Sequence, residues 1–285
     1  MARKEELEKI REVNMKLIRA VDVICKKHGI SYFLFAGTLL GAVREQDFIP
    51  WDDDVDICFV RSEYERFIEV APAELPAEME LVLPGQTKAF YDMIAKLNYK
   101  ESRLHNPCEE DAFYEDKYCH IALDLYIMDQ TYSGKMSRDL HIFRLKMLYG
   151  MLMSKRYSLD WDKYSRLEYL QVKVLCLMGK PFSTKRMVRW YDRIATEVER
   201  SKRKTLSGQP ALNSNSFIPK IGVRYEKDWF TETVEGTFHG EHYPLPAGYH
   251  EYLSHRYGDY MKPSRQMGDI VHLKKGELMI DGKLI

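Results

Sequence analysis

Pro50-Trp51-Asp52-Asp53-Asp54-Val55-Asp56-Ile57-Cys58-Phe59-Val60 places four carboxylates within five positions and then runs straight into an apolar series. Carboxylates this close repel one another unless a cation holds them together. Val55, Ile57, Cys58, Phe59 and Val60 read as a buried strand. On a strand, alternate side chains share a face and Cα atoms two residues apart lie about 6.5–7 Å from each other. Asp54 and Asp56 therefore point one way, Val55 and Ile57 the other. That spacing lets Asp54 and Asp56 reach one Mg²⁺ or Mn²⁺, whose oxygen ligands lie at roughly 2.1 Å. A calcium loop of the EF-hand kind needs Gly at its sixth position, where this chain has Ile57. A solvated acidic turn is the other reading, but such a turn rarely leads into Val-Asp-Ile-Cys-Phe-Val.

The segments on either side extend the pattern. Ser31-Tyr-Phe-Leu-Phe-Ala36 reads as a buried strand ending at Gly37-Thr38, with Leu39 to Arg44 as a short helix. A glycine lets the backbone approach a ligand, and a helix N-terminus offers unpaired N–H groups to phosphate oxygens. Ile121 to Met128 reads as a third core strand, with Asp124 between Leu123 and Leu125. Asp124 is placed either to complete the metal shell or to accept the proton of an attacking hydroxyl.

Leu7, Ile10, Asn14, Leu17, Val21 and Ile24 form the stripe of an amphipathic helix that Gly29 ends. Ser62 and Glu65 have the spacing of a capping box for a helix carrying Tyr64, Phe67 and Ile68 and closed by Pro72. Residues 136–156, 163–178 and 183–202 show helical recurrence, with a break at Gly179-Lys180-Pro181. Ser207-Gly-Gln-Pro210 opens a less regular C-terminal segment. No internal repeat or low-complexity tract is present.

Lys plus Arg and Asp plus Glu both number 43, and zero net charge argues against a nucleic-acid binder working through a broad basic footprint. The five cysteines are odd in number and lack a C-x-x-C pair. Cys25, Cys58 and Cys176 read as buried free thiols, and a reducing, cytoplasmic setting follows. The N-terminus lacks the apolar core of a signal peptide, and no uncharged apolar window is long enough to span a bilayer.

Ala36-Gly37-Thr38-Leu39-Leu40-Gly41-Ala42-Val43-Arg44, followed by Phe48-Ile49-Pro50-Trp51-Asp52-Asp53-Asp54-Val55-Asp56-Ile57, resembles the LicD family of the nucleotidyltransferase-fold superfamily. The resemblance covers most of residues 5–130 and the block Tyr257-Gly258-Asp259-Tyr260-Met261. It implies an α/β fold, with a nucleotidyltransferase-like core and mixed sheet over 1–130. A helical subdomain and C-terminal segment over 131–285 pack back on that core. It further implies Asp54, Asp56 and Asp124 as catalytic metal ligands for Mg²⁺ or Mn²⁺, and Gly37, Thr38, Arg44, Trp51 and Asp53 as substrate-binding residues. Glu45-Gln46-Asp47 departs from the family pattern, as does Asn98, which stands where an Asp is expected.

The reaction implied moves phosphocholine from CDP-choline to a hydroxyl of a cell-surface glycan precursor, of teichoic acid or lipopolysaccharide type, with release of CMP. Transfer of another phospho-alcohol such as phosphoribitol, or of a nucleotide, would use the same carboxylates. A non-catalytic glycan- or nucleotide-binding protein is the alternative of a different class. A choline headgroup would sit against aromatic faces, for which Trp51, Tyr126, Tyr249, Tyr252, Tyr257 and Tyr260 are available. Leu140 to Met153 reads as a core helix with a basic edge, or as an interfacial helix bringing the enzyme to a lipid-linked acceptor at the inner face of the membrane. The basic run Arg200 to Lys204 would assist there or cap a helix. His28, His120 and His272 read as structural, and no His/Cys spacing suggests zinc.

Overall fold

The computed structural model describes residues 2–201, 211–262 and 277–285. Helix α1 (Ala2–His28) buries the stripe expected of it, Ile10, Asn14, Leu17, Val21 and Ile24, against the sheet. It stops at Gly29, whose φ of +58° lets its N–H reach the Lys26 carbonyl and that of Ile30 the Cys25 carbonyl.

The chain then forms β1 (Phe33–Leu34), α2 (Ala36–Arg44), β2 (Val55–Val60), α3 (Arg61–Glu74), β3 (Met79–Val82), β4 (Ala95–Tyr99), β5 (Ser102–Arg103), α4 (Glu109–Phe113) and β6 (Ile121–Gln130). Two of these elements differ from the sequence expectation. The strand expected over 31–36 shortens to two residues because Ala36 already begins α2, with φ +46°. Helix α3 starts at Arg61, directly off β2, so Ser62 lies inside the first turn and the capping box does not form. Pro72 does not close α3 either; the helix runs to Glu74, with the Leu75 N–H still bonded to the Ala71 carbonyl.

Beyond β6 come α5 (Lys135–Leu152), α6 (Arg166–Gly179), α7 (Thr184–Ala195), α8 (Glu197–Arg200), β7 (Ala211–Asn213), β8 (Arg224–Tyr225), β9 (Thr233–Phe238), β10 (Glu241–Pro246), α9 (Tyr249–Tyr257), β11 (Met279–Ile280) and β12 (Lys283–Leu284). The fold is a mixed α/β one. Its central sheet runs β1-β2-β6-β4-β3, with β2 and β6 parallel and the other pairs antiparallel. Strand β6 is long enough to pair with β4 along its first half and with β7 at its end.

Two hydrophobic clusters divide the interior. One joins α1, α2, the sheet and the aromatic C-terminal elements; the other lies among α5, α6 and α7, with Leu212 and Ile221. Cys25, Cys58 and Cys176 are buried free thiols, as their apolar surroundings suggest. His28 meets Glu74, and His120 meets the Ser102 carbonyl. Most of Arg200–Lys204, all of Ser207–Pro210 and His272 lie outside the described residues. Among those described, no helix is long and apolar enough to cross a membrane.

Candidate active site

The parallel register of β2 and β6 decides the geometry, because it sets Asp56 beside Asp124. Paired residues on neighbouring strands lie about 4.8 Å apart and share a face. Asp54, two residues before Asp56, approaches from the loop that leads into β2. Asp52 and Asp53 join it: one carboxylate oxygen from each of Asp52, Asp53 and Asp54 lies within 4.8 Å of the other two. The tightest trio is thus 52-53-54, with Asp56 and Asp124 arriving from the strands.

The chain holds this loop in place from outside. Arg11 on α1 donates through Nε and Nη2 to the Asp52 carbonyl (both 3.1 Å) and through Nη2 to the Ile49 carbonyl (2.8 Å). Asn14, one turn along, donates to the Asp53 carbonyl at 2.7 Å. Gly37 is glycine for a local reason: a Cβ there would come within 2.7 Å of Asp52 Oδ2. Thr38 is buried, and its hydroxyl accepts the Asp56 N–H at 2.8 Å, locking the first turn of α2 to the head of β2.

The electrostatics are unbalanced. Burial pushes the Asp56 carboxyl well above the usual range, and the charges of Asp54, Asp124 and Asp52 push it further. Its Oδ1 is buried without a hydrogen-bond partner. Asp52 rises to about 8, through burial first and then the charge of Asp54, a hydrogen bond with Asp54 and the charge of Asp53. At an effective dielectric near 20, each pair of like charges at this spacing costs about 3 kcal/mol. A buried, orphaned carboxylate oxygen among hard oxygen donors is the environment a divalent cation stabilises. The residues present therefore fit Mg²⁺ or Mn²⁺.

Two cationic residues that the sequence reading missed face the cluster. Lys96 lies opposite Asp124 in the antiparallel β4–β6 register and binds its Oδ1 at 2.5 Å. Burial alone would lower the Lys96 pKa, but Asp124 and Asp92 outweigh it and hold the ammonium above its usual value. Arg256 on α9 lies over the rings of Phe35 (5.8 Å) and Tyr257 (5.4 Å), where its charge acts on Asp56. Only the β4 register would have disclosed Lys96. Arg11 left a trace in the sequence, being an arginine three residues before Asn14 on the same buried face of α1.

The remaining expected site residues sit as follows. Trp51 is half-buried against the main core. Tyr126 and Tyr252 both pack on Phe35, each at 5.1 Å. Tyr257 is within reach of the charges of Asp56 and Asp52. Tyr260 pairs with His250, and Tyr249 is half-buried beside the core. Arg44 turns to Glu45 Oε1 (2.7 Å) and the Tyr260 carbonyl (3.2 Å), joining α2 to the C-terminal elements. Asn98 is buried and donates to the Lys117 carbonyl, a structural use for a residue opposite Ala122. His105, Cys108 and Asp111 also come together near α4 despite lacking zinc spacing. Asp111 already accepts from Arg103 and the Cys108 N–H, which accounts for that grouping.

Residues 29–145, which span every one of these aspartates, match the family described as LicD/FKTN/FKRP, nucleotidyltransferase domain. This segment is a LicD-type nucleotidyltransferase-superfamily domain. Over 268 residues, the chain is 24% identical to the lipopolysaccharide cholinephosphotransferase LicD of Haemophilus influenzae, covering 89% of this chain and 91% of that one. It is 37% identical to an uncharacterized protein of Rickettsia prowazekii over 53% of this chain and 55% of that protein. A counterpart in Rickettsia typhi is 27% identical over 53% of this chain and 47% of its own. The chain thus spans about half the length of each Rickettsia relative. Arg11, Asn14 and Arg256 lie outside the matched LicD-type segment yet face or brace its acidic cluster.

Proposed function

We propose that this chain transfers phosphocholine from CDP-choline to a hydroxyl of a lipid-linked, cell-surface glycan precursor and releases CMP, with Mg²⁺ or Mn²⁺ bound. The observation that carries a metal-dependent transfer is the buried, unpartnered Asp56 Oδ1 amid Asp52, Asp54 and Asp124. The choice of headgroup rests on likeness to the Haemophilus lipopolysaccharide cholinephosphotransferase.

A divalent cation held by Asp54 and Asp56, with Asp124 beside them, would neutralise charge on the phosphoryl oxygens and on the departing phosphate. The chain's own residues do the rest. The first-turn amides of α2, at Gly37 and Thr38, lack intrahelical acceptors and serve the donor phosphates. Lys96 fixes the Asp124 carboxylate through Oδ1 and leaves Oδ2 to take the acceptor's proton. The acceptor oxygen forms a bond to the phosphorus bearing choline as the bond from that phosphorus to the CMP oxygen breaks. Trp51, Tyr126 and Tyr257 supply ring faces for a quaternary ammonium.

Incubation with CDP-choline, Mg²⁺ and a glycan acceptor tests this. CMP release that needs both acceptor and metal is the expected result. CMP from CDP-ribitol but not CDP-choline would replace the headgroup, and pyrophosphate from CTP would replace the reaction by nucleotidyl transfer. No turnover of any of the three would leave a binding protein.

A further inference from the structure

Helix α6 has two apolar faces, and the second helical cluster needs only one of them. Cys176 and Gly179 are buried, with Val172 and Leu175 packed beside them. Leu167, Leu170, Val174, Leu177 and Met178 recur at helical spacing on the other side. They are 66%, 57%, 46%, 56% and 46% exposed, far beyond what scattered surface leucines would give one helix. Among the described residues, no element covers this stripe.

The flank of the stripe identifies what fits it. Arg166, Lys173 and Lys180 are seven residues apart and so line one edge of the stripe, two turns from each other. The one acid of α6, Glu168, is spent on the capping box with Ser165. At the N-terminal end, Trp161 packs against Tyr164 and Tyr169, a group of ring side chains suited to a water–lipid boundary. A second copy of the chain suits the stripe badly. Antiparallel two-fold pairing on it would set Lys173 against Lys173 and Arg166 against Lys180.

We propose that α6 is a docking face for an anionic lipid surface, lying in the interfacial plane with its leucines among the acyl chains and its basic edge at the headgroups. The assignment moves the membrane contact away from Leu140–Met153, where Leu145, Tyr149 and Leu152 are buried in the helical cluster. It does not depend on the acceptor or headgroup. Nor does bulk charge supply the attraction, since the chain's formal net charge is zero.

The test is co-flotation of the full chain with vesicles of phosphatidylcholine alone and of phosphatidylcholine mixed with phosphatidylglycerol. Binding is expected only to the mixed vesicles and should weaken with added salt. Leu170→Asp/Leu177→Asp should lower the partition at least about tenfold. Lys173→Glu/Lys180→Glu, which leaves the apolar stripe intact, should lower it by about fivefold per residue or more. Lys4→Glu, an exposed site on α1, should leave it unchanged. Melting temperatures of all variants should match the parent, because each position is exposed. The proposal is overturned if the parent ignores the mixed vesicles or if both α6 variants bind like the parent. It is equally overturned if Lys4→Glu is as damaging as they are. A dimer in light scattering that Leu170→Asp/Leu177→Asp splits, without vesicle binding, would assign the stripe to a second copy instead.

Discussion

At the head of the β2–β6 pair Asp124 stands beside Asp56; five residues on, Asp129 stands beside Arg61, just past the last residue of β2. The far-end carboxylate is paired. Arg61 donates to both oxygens of Asp129 (2.6 and 2.7 Å) and to Asp192 (2.9 Å), and it lies over the ring of Tyr64. The head is unbalanced. Asp52, Asp53, Asp54, Asp56 and Asp124 gather there, and Lys96 forms an ion pair with Asp124. Burying a charge is tolerable when it is paired and costly when it is not. One sheet thus carries a carboxylate used for cohesion and a set of carboxylates whose repulsion the fold sustains. The second arrangement makes physical sense when a cation completes it.

The largest expected effects separate the two ends. Asp56→Asn should lower CMP release on the order of a thousandfold, equivalent to roughly 4 kcal/mol of transition-state stabilisation. It should not lower the melting temperature in metal-free buffer, because it removes a repelled charge. Added Mg²⁺ should raise the melting temperature of the parent and leave Asp56→Asn unmoved. Arg61→Ala should do the reverse, since it strands Asp129. Urea unfolding should show a loss of about 3–5 kcal/mol, while turnover per folded molecule stays near the parent's. If Asp56→Asn destabilises as Arg61→Ala does, the contrast between the ends is wrong.

How much of this was legible follows from what a sequence period can carry. Alternation along residues 54–57 assigns Asp54 and Asp56 to one face, but β2 begins only at Val55, so Asp54 reaches the cluster from the loop beside Asp52 and Asp53. Asp124 inside Leu-Asp-Leu marked a second strand carrying an acid, which the structure leaves half-buried. The pairing of those strands carries no local signature, so the Asp56–Asp124 register and Lys96 opposite Asp124 emerged only from the structure. The capping box at Ser62 failed for a reason tied to the far end: α3 begins at Arg61, whose side chain reaches back to Asp129. Asn14 was legible as a stripe position, but its bond to the Asp53 carbonyl joins residues 39 apart. The same distance problem hid Arg256. In Leu140–Met153, burial divides the run: Leu140 and Phe143 are exposed, while Leu145, Leu148 and Leu152 are core.

A smaller perturbation probes how the head is assembled. Gly37→Ala places a methyl group where Asp52 Oδ2 lies, and that carboxylate is a side-chain end that can swing aside. The backbone of α2 therefore survives while Asp52 leaves the cluster. Turnover is expected to fall by about tenfold to a hundredfold, the order of a misplacement near 1 Å. The melting temperature should scarcely move. A parent-like rate would show that Asp52 is a bystander and that the head needs only Asp54, Asp56 and Asp124.

The smallest effect tests whether the far end is truly balanced, because Glu199 is a surplus acid beside it. Burial raises the Glu199 carboxyl to about 7, the charge of Asp129 adds to this, and Arg61 opposes it. An acid whose folded pKa exceeds its unfolded value holds a proton in the native state that the unfolded chain has already released. Between the ordinary carboxylate value of 4.5 and about 7, stability therefore falls as pH rises, and the deficit is complete above that window. Glu199→Gln removes the ionisation and keeps an acceptor for the Gln130 N–H. Its melting temperature should equal the parent's at the acid end and exceed it by a few degrees above pH 7, about what 1 kcal/mol moves in a chain of this size. CMP release should not change, since Glu199 belongs to the far end. A melting difference flat across pH would mean that Arg61 neutralises all three acids around it, so that the far end carries no surplus charge at all.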